Sequence, residues 1–257
     1  MSRRSRNRDE KGAEVEKLQP VDEAWSRALA VVAHPDDMEY GAAAAVARWT
    51  AQGKTVAYCL VTSGEAGIDS MPPEEARPVR EREQREAAAL VGVSSVEFLG
   101  HPDGMLEYGL PLRRDIARVI RRHRPEVVIM TNHHPTFEGG GLNQADHIAV
   151  GQAVIDAVRD AANRWVFREL LTEGLEPWNG VRMVLASGSP YARHGVDITD
   201  HFAAGVASLQ AHAAYLKGLG DDHPMADAEE FLEAAARANG TRLGCRFAAS
   251  FEVIEFG

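Results

Sequence analysis

Cysteine is nearly absent from this chain, with only Cys59 and Cys245 among 257 residues. Two thiols so far apart cannot staple a small secreted fold, so stability must come from burial, and the cytoplasm is the expected compartment. No stretch approaches the ~18 consecutive apolar residues that a membrane-spanning helix requires, so no membrane insertion is expected. Positive charge is also short: 28 Lys+Arg stand against 38 Asp+Glu, a net charge of −10. That balance argues against a nucleic-acid partner, which would need a basic face for phosphates. The start, Met1–Arg8, is basic but leads into Asp9, Glu10 and Lys11 and not into an apolar stretch, so it does not read as a secretory signal. What is present is the composition of an ordinary globular protein, 45% hydrophobic and 26% charged. A chain of this length can bury a core without disulfides or partner chains.

Residues 1–21 mix both charge signs with almost no periodicity and read as a disordered N-terminal tail, leaving 22–257 as a single domain. Arg27–Ala33 is a short apolar run of strand type, followed by the polar knot His34–Glu39 and an alanine-rich helix over Gly41–Gln52. Further strands are expected at Thr55–Val61, Ser95–Leu99, Glu126–Met130, Val181–Ala186 and Ser250–Phe256. Helices are expected at Val79–Val91, Pro111–His123, Asp146–Ala162, Phe202–Leu219 and Ala228–Asn239. Strands with little polar alternation, separated by helices, imply a sheet covered on both faces. The expected fold is therefore α/β: a doubly wound, Rossmann-like three-layer αβα sandwich with a mostly parallel sheet.

In such sheets ligands bind beyond the carboxyl ends of the strands, where the strand order switches. The unusual polar clusters each fall just after an expected strand: His34–Glu39, Ser63–Gly67, His101–Gly104, Asn132–His147 and Ser187–His194. Within them, His34-Pro-Asp-Asp37 delivers an imidazole and two carboxylates into a turn, and Asp146-His147 opens a later helix with a second imidazole. Two His and one Asp with an open fourth position suit a catalytic zinc. A neighbouring carboxylate that does not ligate can serve as general base.

The segment Ala33-His-Pro-Asp-Asp-Met-Glu39 resembles the first motif of the PIG-L/LmbE-like zinc deacetylases, and Asp146-His147 resembles the end of their second. The resemblance implies one zinc per chain held by His34, Asp37 and His147, with Asp36 as general base and Asp146 orienting an imidazole. It also implies that Arg80 contacts substrate and that Asp103 holds a substrate hydroxyl. The implied activity is removal of an N-acetyl group from an amino sugar or similar small metabolite. An amidase acting on a larger conjugate, or a hydratase, stays open as the alternative.

One position departs from the family pattern. Many relatives carry a His three residues before the second ligating His, and here that place is Gln144. Glutamine can donate a hydrogen bond to an oxyanion but is no proton donor near neutral pH. Either Asp36 serves as base and then acid, or another His supplies the proton, with His194 the candidate. His133 and His134 follow a strand and either line the pocket or cap the loop. His123, His201, His212 and His223 are expected in solvated or packing roles, and Glu138–Leu142 as a mobile loop beside the pocket. The expected partner is a small acylated amine. No heptad seam is evident, and a homo-oligomer through the His194 region and the late helices is left open.

Overall fold

The least alternating apolar runs in the sequence become strands covered on both faces. The structure, a computed structural model, describes residues 16–220 and 222–256. Among them are eight strands and nine helices in the order β1 (Gln19–Pro20), β2 (Arg27–Val32), α1 (Asp37–Gly41), α2 (Ala43–Ala51), β3 (Thr55–Leu60), α3 (Pro73–Leu90), β4 (Ser95–Phe98), α4 (Leu110–His123) and β5 (Val127–Thr131). There follow α5 (Ala145–Ala162), α6 (Glu169–Thr172), β6 (Met183–Ser187), β7 (His194–Asp197), α7 (Phe202–Gln210), α8 (Ala213–Leu219), α9 (Ala228–Leu243) and β8 (Ala248–Glu255).

The strands form one sheet in the order β1-β7-β8-β6-β5-β2-β3-β4. All pairings are parallel except those of β8, which runs antiparallel to β6 and β7. β2 pairs with both β3 and β5, so the chain winds outward from β2 in two directions. The switch point therefore lies between the carboxyl ends of β2 and β5, where such folds leave a crevice.

The period of two along β2 divides the core. Ala28, Ala30 and Val32 face a layer with Trp49 of α2, Val206 of α7 and Ala236 of α9. Leu29, Val31 and Ala33 face the other layer, with Ile116 and Ile120 of α4 and Val150, Val154 and Ala157 of α5. Each fully buried Leu, Ile or Val on these faces contributes roughly 1.5–3 kcal/mol. No described helix is long and apolar enough to cross a membrane.

Several elements depart from expectation. The first fifteen residues of the expected tail lie outside the described residues, but 16–21 are built into the fold. Leu18 and Val21 are buried, and Gln19–Pro20 pairs with β7. β7 itself was not expected, because four residues with a central glycine carry too little apolar signal. α3 begins six residues before the expected Val79 and contains Pro78. A proline there removes one bond to the carbonyl four residues back, which the long helix tolerates. The expected helix over Phe202–Leu219 breaks at Ala211 and His212 into α7 and α8.

Candidate metal centre and active site

β2 is buried to its last residue, so the chain leaving it must turn within the crevice. His34 and Pro35 make that turn, and Asp36 completes it with φ 83°, a left-handed conformation that an L-residue holds only under outside constraint. The constraint is visible. Gln84 Oε1 accepts from the Asp36 backbone N–H at 3.0 Å, and Arg80 Nη2 donates to Asp36 Oδ2 at 2.7 Å and to the Pro35 carbonyl at 2.7 Å. Gly64, itself at φ 62°, allows the loop after β3 to close over this turn: a Cβ there would lie 2.9 Å from Pro35 Cδ.

Across the crevice α5 begins at Ala145, placing Asp146 and His147 on its first turn. His147 Nε2 lies 2.9 Å from Asp37 Oδ1 and 3.2 Å from His34 Nδ1, and His34 Nδ1 lies 3.8 Å from Asp37 Oδ2. The outward ring nitrogens are tied by acceptors. His34 Nε2 faces Asp103 Oδ1 at 3.1 Å and Asp146 Oδ2 at 3.4 Å. His147 Nδ1 faces Asn143 Oδ1 at 3.0 Å, and the amide nitrogen of Asn143 donates to the carbonyls of Asn132 and His134.

These partners fix both tautomers: each outward nitrogen carries its hydrogen, so His34 Nδ1 and His147 Nε2 present lone pairs inward. Two imidazole lone pairs and a carboxylate thus converge, an arrangement that repels itself unless a cation lies among them. The donor separations of 2.9–3.8 Å bracket the edges of a tetrahedral N/O shell, roughly 3.3–3.6 Å for bonds of ~2.0–2.2 Å. The residues present therefore fit a divalent metal; among the described residues two more sets of donor atoms lie within 4.8 Å of one another, those of His133, His134 and Glu252 and those of His34, Asp103 and Asp146. With a proton as the cation, burial opposes charge on His34, but Asp103, Asp146 and Asp37 outweigh it and push its pKa up to about 12. Burial likewise opposes charge on Asp37, yet His147 and His34 hold its carboxyl well below the usual range. Burial raises the pKa of Asp36 instead, with Arg80 pulling against it.

Of the residues expected at the site, His34, Asp36, Asp37, Asp146 and His147 come together at this edge. Arg80 joins them from beneath: its side chain is 1% exposed, and its guanidinium is occupied by Asp36, Pro35 and His212. It faces Asp36 and not the open crevice. Asp103, expected to hold a substrate hydroxyl, has Oδ1 on His34 and on Thr62 Oγ1, and Oδ2 accepting from the Ala66 N–H at 2.8 Å. Gln144 occupies the cap position of α5 with its side chain exposed and no side-chain partner among the described residues. His194 starts β7 opposite Phe251, two strands beyond β6, and makes no contact with the triad among the described hydrogen bonds. Asp146 meets the loop after β4 as well, accepting from the N–H groups of Gly104 and Leu106 at 2.8 and 3.1 Å.

Sequence reasoning missed Asn143, although its position one turn before His147 on the approach to α5 is a readable signal. It also missed Gln84 and His212, which reach the site from far along the chain. The His133 and His134 rings lie 4.0 Å apart between centroids at a tilt of 39°, with His134 Nε2 2.8 Å from Glu252 and its carbonyl tied to Asn143. The loop over 138–142 folds back through a bridge between Thr136 and Leu142, leaving Leu142 largely exposed.

The PIG-L family model, described as GlcNAc-PI de-N-acetylase, matches residues 29–158, just over half of the chain, with every residue of the triad inside the match. The chain belongs to the PIG-L family. It is 29% identical over 191 residues to a diacetylchitobiose deacetylase of Thermococcus kodakarensis, covering 72% of this chain and 68% of that enzyme. It is 33% identical over 185 residues to a 1D-myo-inositol 2-acetamido-2-deoxy-alpha-D-glucopyranoside deacetylase of Kineococcus radiotolerans, covering 58% of this chain and 49% of that one. The chain thus spans about half to two thirds of the length of these curated relatives. The solved structure of N,N'-diacetylchitobiose deacetylase from Pyrococcus horikoshii shares the fold, with a TM-score of 0.81 at 24% identity over 91% of this chain and 85% of that one.

Proposed function

We propose that this chain is a zinc-dependent hydrolase that removes an N-acetyl group from an amino sugar or a related small acylated amine. The observation that carries the reading is Asp36: a buried carboxylate held beside the converging His34, Asp37 and His147 and not facing the same point as they do. The relatives' names, deacetylases of acetylated amino sugars, support the same class of substrate.

In this reading His34 Nδ1, Asp37 and His147 Nε2 hold the metal. Zinc bound there supplies Lewis-acid polarisation of the amide carbonyl and acidification of water. The chain's own residues do the rest. Asp103 and Asp146 lock the His34 ring and Asn143 locks the His147 ring, as partners of metal-bound imidazoles do. Arg80 pins Asp36 Oδ2, leaving Oδ1 without a protein partner among the described residues and free to take a proton from the attacking water. Asp36 then returns that proton to the leaving amine. We assign both transfers to Asp36 because Gln144 cannot give up a proton and His194 makes no hydrogen bond to the converging donors among the described residues. The Gln144 amide, at the mouth of the crevice, donates a hydrogen bond to the carbonyl oxygen as charge develops on it.

The test is metal analysis of the purified chain together with acetate release from N-acetylglucosamine, diacetylchitobiose and an N-acetylglucosaminyl-inositol. One zinc per chain with acetate from at least one of them is expected. Asp36→Ala should lose turnover at least a thousandfold while keeping its zinc, and Asp37→Ala should lose the zinc. Bound metal with no acetate from any acetylated amine would overturn the reading.

A further inference from the structure

We propose that His212, at the break between α7 and α8, is a positioning residue for Asp36, acting through Arg80. This rests on the reading of Asp36 as the general base. His212 lies outside the 29–158 segment that carries the family match, and nothing in the local sequence around it suggests a role.

The side chain is 0% exposed, with both ring nitrogens among charged groups. Arg80 Nη1 lies 3.3 Å from His212 Nδ1, and because a guanidinium only donates, Nδ1 must be the acceptor and Nε2 must carry the hydrogen. Nε2 lies 3.5 Å from Glu39 Oε2, a charge contact in which neither atom makes a hydrogen bond. Glu39 Oε1 accepts from Gln84 Nε2 at 3.1 Å, and Gln84 Oε1 accepts from the Asp36 backbone N–H at 3.0 Å. Hydrogen bonds thus run from Asp36 through Arg80 to His212 and from Asp36 through Gln84 to Glu39, and the His212–Glu39 charge contact joins the two ends into a ring around Asp36. It grips this residue twice, at the carboxylate and at the backbone N–H that its left-handed conformation leaves without a helical partner.

His212 is the member that sets the angle of the guanidinium. Arg80 Nη2 serves Asp36 and Pro35, and the Tyr215 ring lies 4.2 Å from the guanidinium carbon. Rotation in the guanidinium plane is opposed on the Nη1 side by His212 Nδ1, with Glu83 Oε2 at 3.6 Å. Without the Nδ1 acceptor the guanidinium can turn toward Glu83, and Asp36 Oδ2 loses its anchor. A buried polar ring of this kind is a costly way to fill space, since apolar side chains of the same volume often stabilise as well or better. Its closure on Asp36 gives it a use that packing alone does not.

The experiment compares His212→Phe and His212→Asn in the full chain loaded with zinc, using an acetylated amine that the wild-type enzyme turns over. Phenylalanine keeps the ring and removes the acceptor, and asparagine restores an acceptor at the place of Nδ1. The expected result is a 10- to 100-fold fall in kcat for His212→Phe with KM within about twofold, and recovery of most of that loss in His212→Asn. Zinc content should stay at one per chain in both. If His212→Phe does not fold, His212→Gln replaces it, because its amide lies beyond the Nδ1 position. Equal kcat in the acceptor-bearing and acceptor-lacking variants, or losses that follow melting temperature in place of the acceptor, would overturn the proposal. Asp36→Asn serves as the reference: if it still turns over, the general-base reading has failed, whereas an inactive Asp36→Asn with an unaffected His212→Phe refutes the ring alone.

Discussion

Replacing Arg80 with methionine should be among the most damaging single changes in the protein. Arg80 is 1% exposed and Asp36 6%, and their atoms meet at 2.7 Å. Methionine fills much of the same volume, so the cavity contribution is small and the electrostatic one dominates. Removing the guanidinium strands the Asp36 carboxylate, leaves the Pro35 carbonyl and His212 Nδ1 without a donor, and takes away the cation nearest Glu83. Breaking a buried ion pair by deleting one partner costs ~3–5 kcal/mol. For a domain of this size each kcal/mol lowers the melting temperature by about 2–4 °C, so a drop of roughly 6–20 °C is expected. The double variant Arg80→Met with Asp36→Asn removes the stranded charge and should recover ~2 kcal/mol or more, a coupling of the size seen for groups in direct contact. The assay is urea unfolding of the metal-free protein in chelator, which separates this effect from loss of metal. A single-variant loss under 1 kcal/mol, or strict additivity in the double variant, would refute the view that the pair is a buried charge couple.

Two further outcomes follow from the geometry. Asn143→Ala frees the His147 ring and the turn bearing His133 and His134, and should weaken metal affinity about 10- to 100-fold; competition with a chromogenic chelator measures it, and an unchanged affinity would refute the role given to Asn143. Glu23 receives hydrogen bonds from Arg48 and from Trp49 Nε1, and although burial opposes its charge these partners hold its pKa below the usual value. Because the folded pKa is depressed, its contribution is present above the unfolded pKa of about 4.3 and fades as pH falls through the folded value. Glu23→Gln should therefore destabilise the protein at pH 7 but progressively less on acidification, which melting curves between pH 7 and pH 3 would show.

The central strands were legible because each is a short apolar run bounded by turn residues, and burial on both faces is all that such a run can satisfy. His34, Asp36, Asp37, Asp146 and His147 were legible for a different reason: the resemblance rests on adjacent residues, and adjacency survives in one dimension. Illegible elements lacked such a local cause. Gln19–Pro20 becomes a strand only because the edge of β7 is there to pair with it, and β7 because β8 is there in turn. Pro78 reads locally as a helix boundary, yet α3 runs through it because its buried face packs on the core.

Charged side chains depend most on what the fold brings to them. The resemblance implied substrate contacts for Arg80 and Asp103, and the sequence could not say which protein groups each would also meet. Folding pairs Arg80 with Asp36 and Asp103 with His34, because a buried charge must find an opposite one or a hydrogen-bond partner. His212 read as a packing residue until α7 broke beside it and placed it between Arg80 and Glu39. The sequence by itself therefore determined the layered α/β architecture and the identity of the converging donors, since both follow from neighbours in the chain. Only the tertiary structure decided which groups hold those donors and which hold Asp36. The pairings around Asp36 and Arg80 join residues 44 to 132 positions apart, and their strength comes from a low-dielectric interior that exists only once the sheet and its helices have closed around them.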